Sequence, residues 1–235
     1  MATGLIALLD DVAGLAKMAA ASLDDVGAAA AKAGAKAAGV VIDDAAVTPR
    51  YVVGFAAERE LPIVWAIALG SLKNKLLFLL PAALALSFFA PLAITPLLML
   101  GGAYLCYEGT EKVAEAIWPH AAHAEAGPAV VEDAAAFEQR KISSAIKTDF
   151  ILSAEIMAIT LASVPGGSFW MQFAVLAAVG LGITLIVYGA VALIVKADDA
   201  GVAMAASGGG QAVRALGRGI VLGMPYLLKL LSVVG

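Results

Sequence analysis

The chain has 235 residues, of which 62% are hydrophobic and 14% charged, with a formal net charge of −4. A soluble domain carries about 25% charged residues, so this composition points to a membrane protein. The acidic balance offers no basic surface for nucleic acid, no nucleic-acid motif is present, and the lone Cys106 excludes an intramolecular disulfide.

The N-terminus does not read as a signal peptide. Positive charge is absent before Lys17, and Asp10 and Asp11 cut the apolar run Leu5–Leu9. Leu5, Leu8, Leu9, Val12, Leu15 and Ala16 instead follow helical spacing. LDDVAGLAKMAA at 9–20 is echoed by LDDVGAAAAKAG at 23–34, and VIDDAA follows at 41–46. Ser22 with Asp25 is a capping-box variant, and Thr48-Pro49 is a second start signal. Residues 1–57 are therefore expected to form two or three short amphipathic, Ala/Gly-rich helices on or under a membrane domain spanning 58–235.

Residues 58–72 are apolar but short, and Glu58, Glu60, Lys73 and Lys75 flank them; an interfacial or re-entrant segment is expected. Leu76 to Tyr107 then runs for 32 residues without Asp, Glu, Lys, Arg or His. One helix of that length would measure roughly 48 Å, too long for a ~30 Å hydrocarbon core. Pro91 and Pro96 near its middle predict a hairpin over 73–107, turning across Phe89–Pro96. Residues 108–147 read as a polar cytoplasmic loop. A second hairpin is expected over 148–195, broken by Pro165-Gly166-Gly167-Ser168 with Ser168 as N-cap, and a partial span over 219–235.

With both blocks as hairpins, Lys73, Lys75, Lys112, Arg140, Lys141, Lys147, Lys196, Arg214 and Arg218 fall on one side, and the opposite turns carry no charge. That positive-inside pattern puts the N-terminus and the long loops in the cytoplasm. The stretches MATGLIALLDDVAGLAKMAAASLDDVGAAAAKAGAKAAGVVIDDAAVTPRYVVGF and IKTDFILSAEIMAI resemble the YedI-type inner-membrane proteins of bacteria, a domain-of-unknown-function family. The resemblance implies a polytopic protein of the bacterial inner membrane, with further apolar sequence beyond the equivalent of Gly235. It brings no activity and no catalytic residues.

Candidate chemistry is sparse. Glu155 lies inside an apolar helix, where an ionisable group often marks an ion or proton path; a single packing contact is the plainer reading. Asp149, six residues earlier, shares a face with Ser153 and Thr160, while Glu155 points elsewhere. Lys229, in the late apolar segment, is placed to pair with Glu155 or Asp149 or to snorkel. The aspartate pairs Asp10/Asp11, Asp24/Asp25, Asp43/Asp44 and Asp198/Asp199 could supply oxygen ligands to Mg²⁺ or Ca²⁺, but neighbours on a helix diverge by about 100°, and helix-start charge is the simpler reading. His120, His123 and Glu125 form HxxHxE in a solvated loop, with no further histidine to complete a site. Gly219/Gly223, Gly101/Gly102 and Gly180/Gly182 offer small surfaces for close helix packing, within one chain or in a homo-oligomer. Gly208–Gly210 lacks P-loop spacing and reads as a linker, and no nucleophile–base set is present.

The expected fold is thus all-α and polytopic: two transmembrane hairpins, a C-terminal membrane segment and an amphipathic N-terminal region. The expected function is non-enzymatic and cofactor-free. It is a transporter or channel-like protein with Glu155, Asp149 and Lys229 on the path, or alternatively a membrane scaffold whose N-terminal helices bind a partner or the lipid surface.

Overall fold

The computed structural model describes residues 2–52, 55–117, 134–208 and 210–234. These are 92% helix with no strand. The helices are α1 (Ala2–Lys36), α2 (Ala38–Val47), α3 (Ala57–Phe89), α4 (Ile94–Ile117), α5 (Ala134–Ala162), α6 (Phe169–Ala206) and α7 (Gln211–Val234). Two of them, α3 and α6, are long and apolar enough to cross a membrane.

Helix α3 is α-helical over Ala57–Lys73, widens into a π segment over Asn74–Leu79, and returns to α over Leu80–Phe89. Pro81 accounts for the widening. It has no N–H to donate, and its ring presses on the carbonyl four residues back, that of Leu77, inside the π segment. Pro91 ends the helix by forcing Ala90 out of the α region (φ −144°), and a short 3₁₀ turn, Pro91–Ala93, leads into α4. Between α5 and α6 the chain turns at Gly166, whose φ of +70° suits glycine. The Ser168 hydroxyl then caps α6 by accepting the Met171 N–H at 3.2 Å. Both turns fall where the prolines and glycines predict them.

Helix α6 is the central post and packs against α1, α2, α3, α5 and α7. Arg59 near the start of α3 pairs with Glu138 near the start of α5, so these two run parallel. Ser87 near the end of α3 donates to Gln172 near the start of α6 at 2.8 Å, so those two run antiparallel. The core between them is aliphatic, built on Ile63 and Ile67 of α3, Ile156 of α5, and Val175, Val187 and Val191 of α6. Only 39% of the most apolar window of α3, and 39% of that of α6, is buried within the fold. Leu77, Phe78, Phe88, Phe89, Trp170, Leu185, Ile186 and Leu193 are all exposed.

Helix boundaries differ from the sequence reading at several points. Helix α1 runs unbroken for 35 residues through Ser22 and Asp25, because the sequence on both sides contains no proline and is rich in alanine, the strongest helix former. Thr48 does not cap a new α-helix; its hydroxyl donates back to the Asp44 carbonyl at 2.7 Å and Pro49 opens a 3₁₀ turn. Residues 58–72 are not a separate segment but the first half of α3, which passes straight through Lys73 and Lys75. Residues 134–147 of the expected loop are already helical, α6 continues past Val195 to Ala206, and α7 starts at Gln211.

Of the expected glycine contacts, Gly180 is found, with a Cβ there meeting Met157 at 2.9 Å, and the others move. A Cβ at Gly219, Gly223, Gly101, Gly102 or Gly182 would meet nothing within 4 Å, whereas one at Gly217 would lie 2.5 Å from the Ala205 nitrogen and 2.7 Å from the Gly201 carbonyl oxygen. The close approach of α6 and α7 therefore rests on Gly201 and Gly217. Because backbone cannot yield to a new side chain there, Gly217→Leu is expected to destabilise the protein by more than the ~1–3 kcal/mol usual for overpacking. Gly219→Leu should be nearly neutral. Thermal unfolding of the two purified variants checks this, and equal melting temperatures would contradict the packing described.

Candidate functional site

One row of side chains at four-residue intervals on α3, Ile63, Ile67, Ser71, Lys75 and Leu79, is buried throughout. It faces a matching row on α5, Ala145, Asp149, Ser153, Met157 and Leu161, also buried throughout. Side chains four apart on a helix stack on one face, so these polar residues are placed in the core by the same periodicity that buries their apolar neighbours. Thr184 and Tyr188 of α6 complete the third wall, and Gly180, one turn earlier, keeps that wall close to Lys75 and Met157.

At the centre Lys75 is fully buried, and its Nζ donates to Asp149 Oδ1 at 2.9 Å and Oδ2 at 3.2 Å, as well as to the Ser71 hydroxyl. Asp149 also accepts from the Tyr188 hydroxyl at 3.0 Å and from the Ser153 hydroxyl at 3.2 Å. A buried ion pair survives desolvation only with such additional hydrogen bonds. Asp44 of α2 closes the cluster. It is 2% exposed, lies within hydrogen-bonding reach of Asp149, and has Thr48 as its hydroxyl neighbour. Burial above all, then the Asp149 charge, pushes the Asp44 carboxyl up to about 7, against the opposing pull of Lys75. Its buried Oδ2 accepts no hydrogen bond from the described residues. Held as the neutral acid, Asp44 sets no second negative charge beside Asp149. The cluster is then one ammonium, one carboxylate and one neutral acid, with no net charge, and losing the proton would leave a buried excess of one negative charge.

The site residues expected from sequence are thus split. Asp149 is central and shares its buried face with Ser153 and Thr160. Its counter-ion is Lys75. The side chain of Lys229, expected to pair with Asp149 or Glu155 or to snorkel, lies outside the described residues, as do those of Asp10 and Asp11 and all of His120, His123 and Glu125. Glu155 points away from the cluster, into the wall of a separate cavity between α3, α4 and α5. Asp24 and Asp25 are exposed on α1, and among the described residues no group of three or more His, Cys, Asp and Glu side chains could hold a metal ion. Asp199 pairs with Lys196 at the far end of α6. Lys75, Ser71 and Tyr188 were missed, and Asp44 was singled out only as half of a metal-binding or helix-start pair; the signal available for Lys75 was its four-residue register with Ile63, Ile67 and Ser71.

These features define an all-helical protein with two helices fit to cross a membrane and a hydrogen-bonded ion pair sealed between its long core helices. The chain belongs to the family described as Protein of unknown function (DUF808), whose sequence model matches residues 3–235. No curated protein and no solved structure matches it.

Removing one partner of the pair strands the other. Lys75→Met or Asp149→Leu alone should each cost about 3–5 kcal/mol, and the double variant should recover much of that loss, read by thermal unfolding. Asp44 gives a pH signature. Its folded value lies above the ordinary 3.8, so the folded chain keeps a proton that the unfolded chain has released between about pH 4 and about pH 7. Stability therefore falls as pH rises through that window and is flat above it. Melting temperatures across the window should slope down in the wild type and lose that component in Asp44→Asn.

Proposed function

We propose that this is a multi-pass, non-enzymatic protein of the bacterial inner membrane that moves an ion or small solute, with Lys75, Asp149 and Asp44 as its proton-binding centre. The observation that carries the reading is where the cluster sits. Lys75 is 18 residues from the start of α3 and 14 from its end, Asp149 is 15 and 13 from the ends of α5, and Tyr188 is 19 and 18 from those of α6. A titratable centre at the middle of long helices, beside a non-α turn, is what a membrane-embedded transport site requires.

Membrane placement is supported by the exposed apolar surface. A soluble core helix hides its apolar residues, whereas α3 and α6 leave most of theirs outside the fold. On α3 the exposed aromatics Trp65 and Phe89 are separated by 24 residues, about 36 Å, which matches a hydrocarbon core with its interfaces. Lys75 lies two residues from the midpoint of that interval. The YedI-type resemblance supports the inner membrane, and the basic residues away from the middle of α3, among them Lys112, Arg140, Lys141, Arg214 and Arg218, support a cytoplasmic N-terminus.

A second reading, a non-transporting scaffold, is favoured by one observation. Val12, Leu15, Met18 and Leu23 are exposed along one broad face of α1, which suits a partner helix or a lipid surface.

Proteoliposomes loaded with a pH-sensitive dye decide between them. Wild-type vesicles should pass protons under an imposed gradient faster than protein-free vesicles. Asp149→Asn and Asp44→Asn should each lower that rate about tenfold or more while the protein stays folded. Wild-type flux no faster than that of protein-free vesicles would overturn the proton-transfer reading and leave the scaffold.

A further inference from the structure

We propose that the cavity between α3, α4 and α5 binds a lipophilic cation, with the Glu155 carboxylate as the counter-charge. The cavity has a volume of about 650 Å³, within the range of small-molecule pockets. Its walls are hydrocarbon, supplied by residues such as Leu79 and Leu86 of α3, Leu98 of α4, and Phe150 and Met157 of α5. Among the described residues, Glu155 is the sole charged side chain on those walls, and Tyr104 is the one polar aromatic.

Glu155 is half-buried and, among the described residues, makes no ion pair or hydrogen bond. The field of a second carboxylate, Asp43 on α2, also reaches it and adds to the negative potential there. A half-buried carboxylate on an apolar wall selects among occupants by simple electrostatics. An anion is repelled, and a neutral hydrocarbon fills the walls but leaves the carboxylate unmatched. A small hydrated cation gains nothing from the walls. A cation carrying its charge on an apolar or aromatic body matches both, and the Tyr104 ring offers it a further favourable face.

This site is separate from the buried pair. Asp149 and Glu155 are six residues apart on α5 and point to different sides of it, one into the core and one into the cavity. The inference therefore stands or falls independently of proton transfer by Lys75 and Asp149.

The test is equilibrium binding of radiolabelled tetraphenylphosphonium to the full chain in nanodiscs of zwitterionic lipid. Saturable binding is expected in the wild type, with affinity lowered about tenfold or more in Glu155→Gln. Tetraphenylborate, of the same shape and opposite charge, should show no saturable binding when measured by itself. Gly101→Phe keeps the carboxylate but fills the cavity from a position where a Cβ meets nothing within 4 Å, and it should lower affinity as well. Absence of saturable binding by the wild type, wild-type affinity in Glu155→Gln, or equal binding of the anion would overturn the proposal. If Glu155→Gln fails to fold, unchanged affinity in Gly101→Phe has the same force.

Discussion

Everything at the centre of this protein depends on keeping one ammonium group out of water. A lysine with no exposed surface is tolerable only when its charge is matched and its protons are all received, and Lys75 meets both conditions through Asp149 and Ser71. That requirement fixes how three long helices meet. The amine comes from α3, the carboxylate from α5, and the hydroxyl that holds the carboxylate from α6. Sliding any one of them by a turn would break the set. The aliphatic rows on either side supply most of the burial, but they would accept a neighbouring register more readily than the polar cluster does.

Much of the architecture was legible because it is written in local chemistry. Pro91 forbids a helical Ala90, Gly166 takes up a positive φ, and Ser168 offers its hydroxyl to the first turn of α6, so the turns after α3 and before α6 could be placed from a few residues each. The face of α5 bearing Asp149, Ser153 and Thr160 was equally readable from a 3.6-residue period. What could not be read locally was the partner. Lys75 sits beside Lys73 at the edge of an apolar run, where a cation ordinarily marks the water boundary, and its carboxylate lies 74 residues away. Asp44 had the same disguise. Next to Asp43 near the end of an Ala-rich helix it resembles surface charge, and only the packing of α2 against α5 and α6 reveals that it is buried.

The glycines teach a related lesson. A GxxxG spacing at Gly219 and Gly223 marks a smooth strip of α7, yet a Cβ at either position meets none of the described residues within 4 Å. The contact with α6 falls instead on Gly217, where backbone meets backbone, opposite Gly201. Small residues permit a close approach, but which of several permitted strips is used depends on the large residues around them, here Ile220 and Val221 against Gly201.

The π segment of α3 has a mechanical meaning of its own. A wide turn is equivalent to a helix that has absorbed one inserted residue without displacing either flank. Pro81 holds the insertion on its C-terminal side, whereas no other proline lies between it and Pro62. Passing it one step toward Ser71 exchanges one hydrogen-bond pattern for another, leaves both ends of α3 where they are, and swings the side chains it passes by about 100°. Lys75 stands inside that stretch, one residue from its start. The lysine is thus mounted on the one portion of the helix that can rotate like a swivel while the remainder stays still.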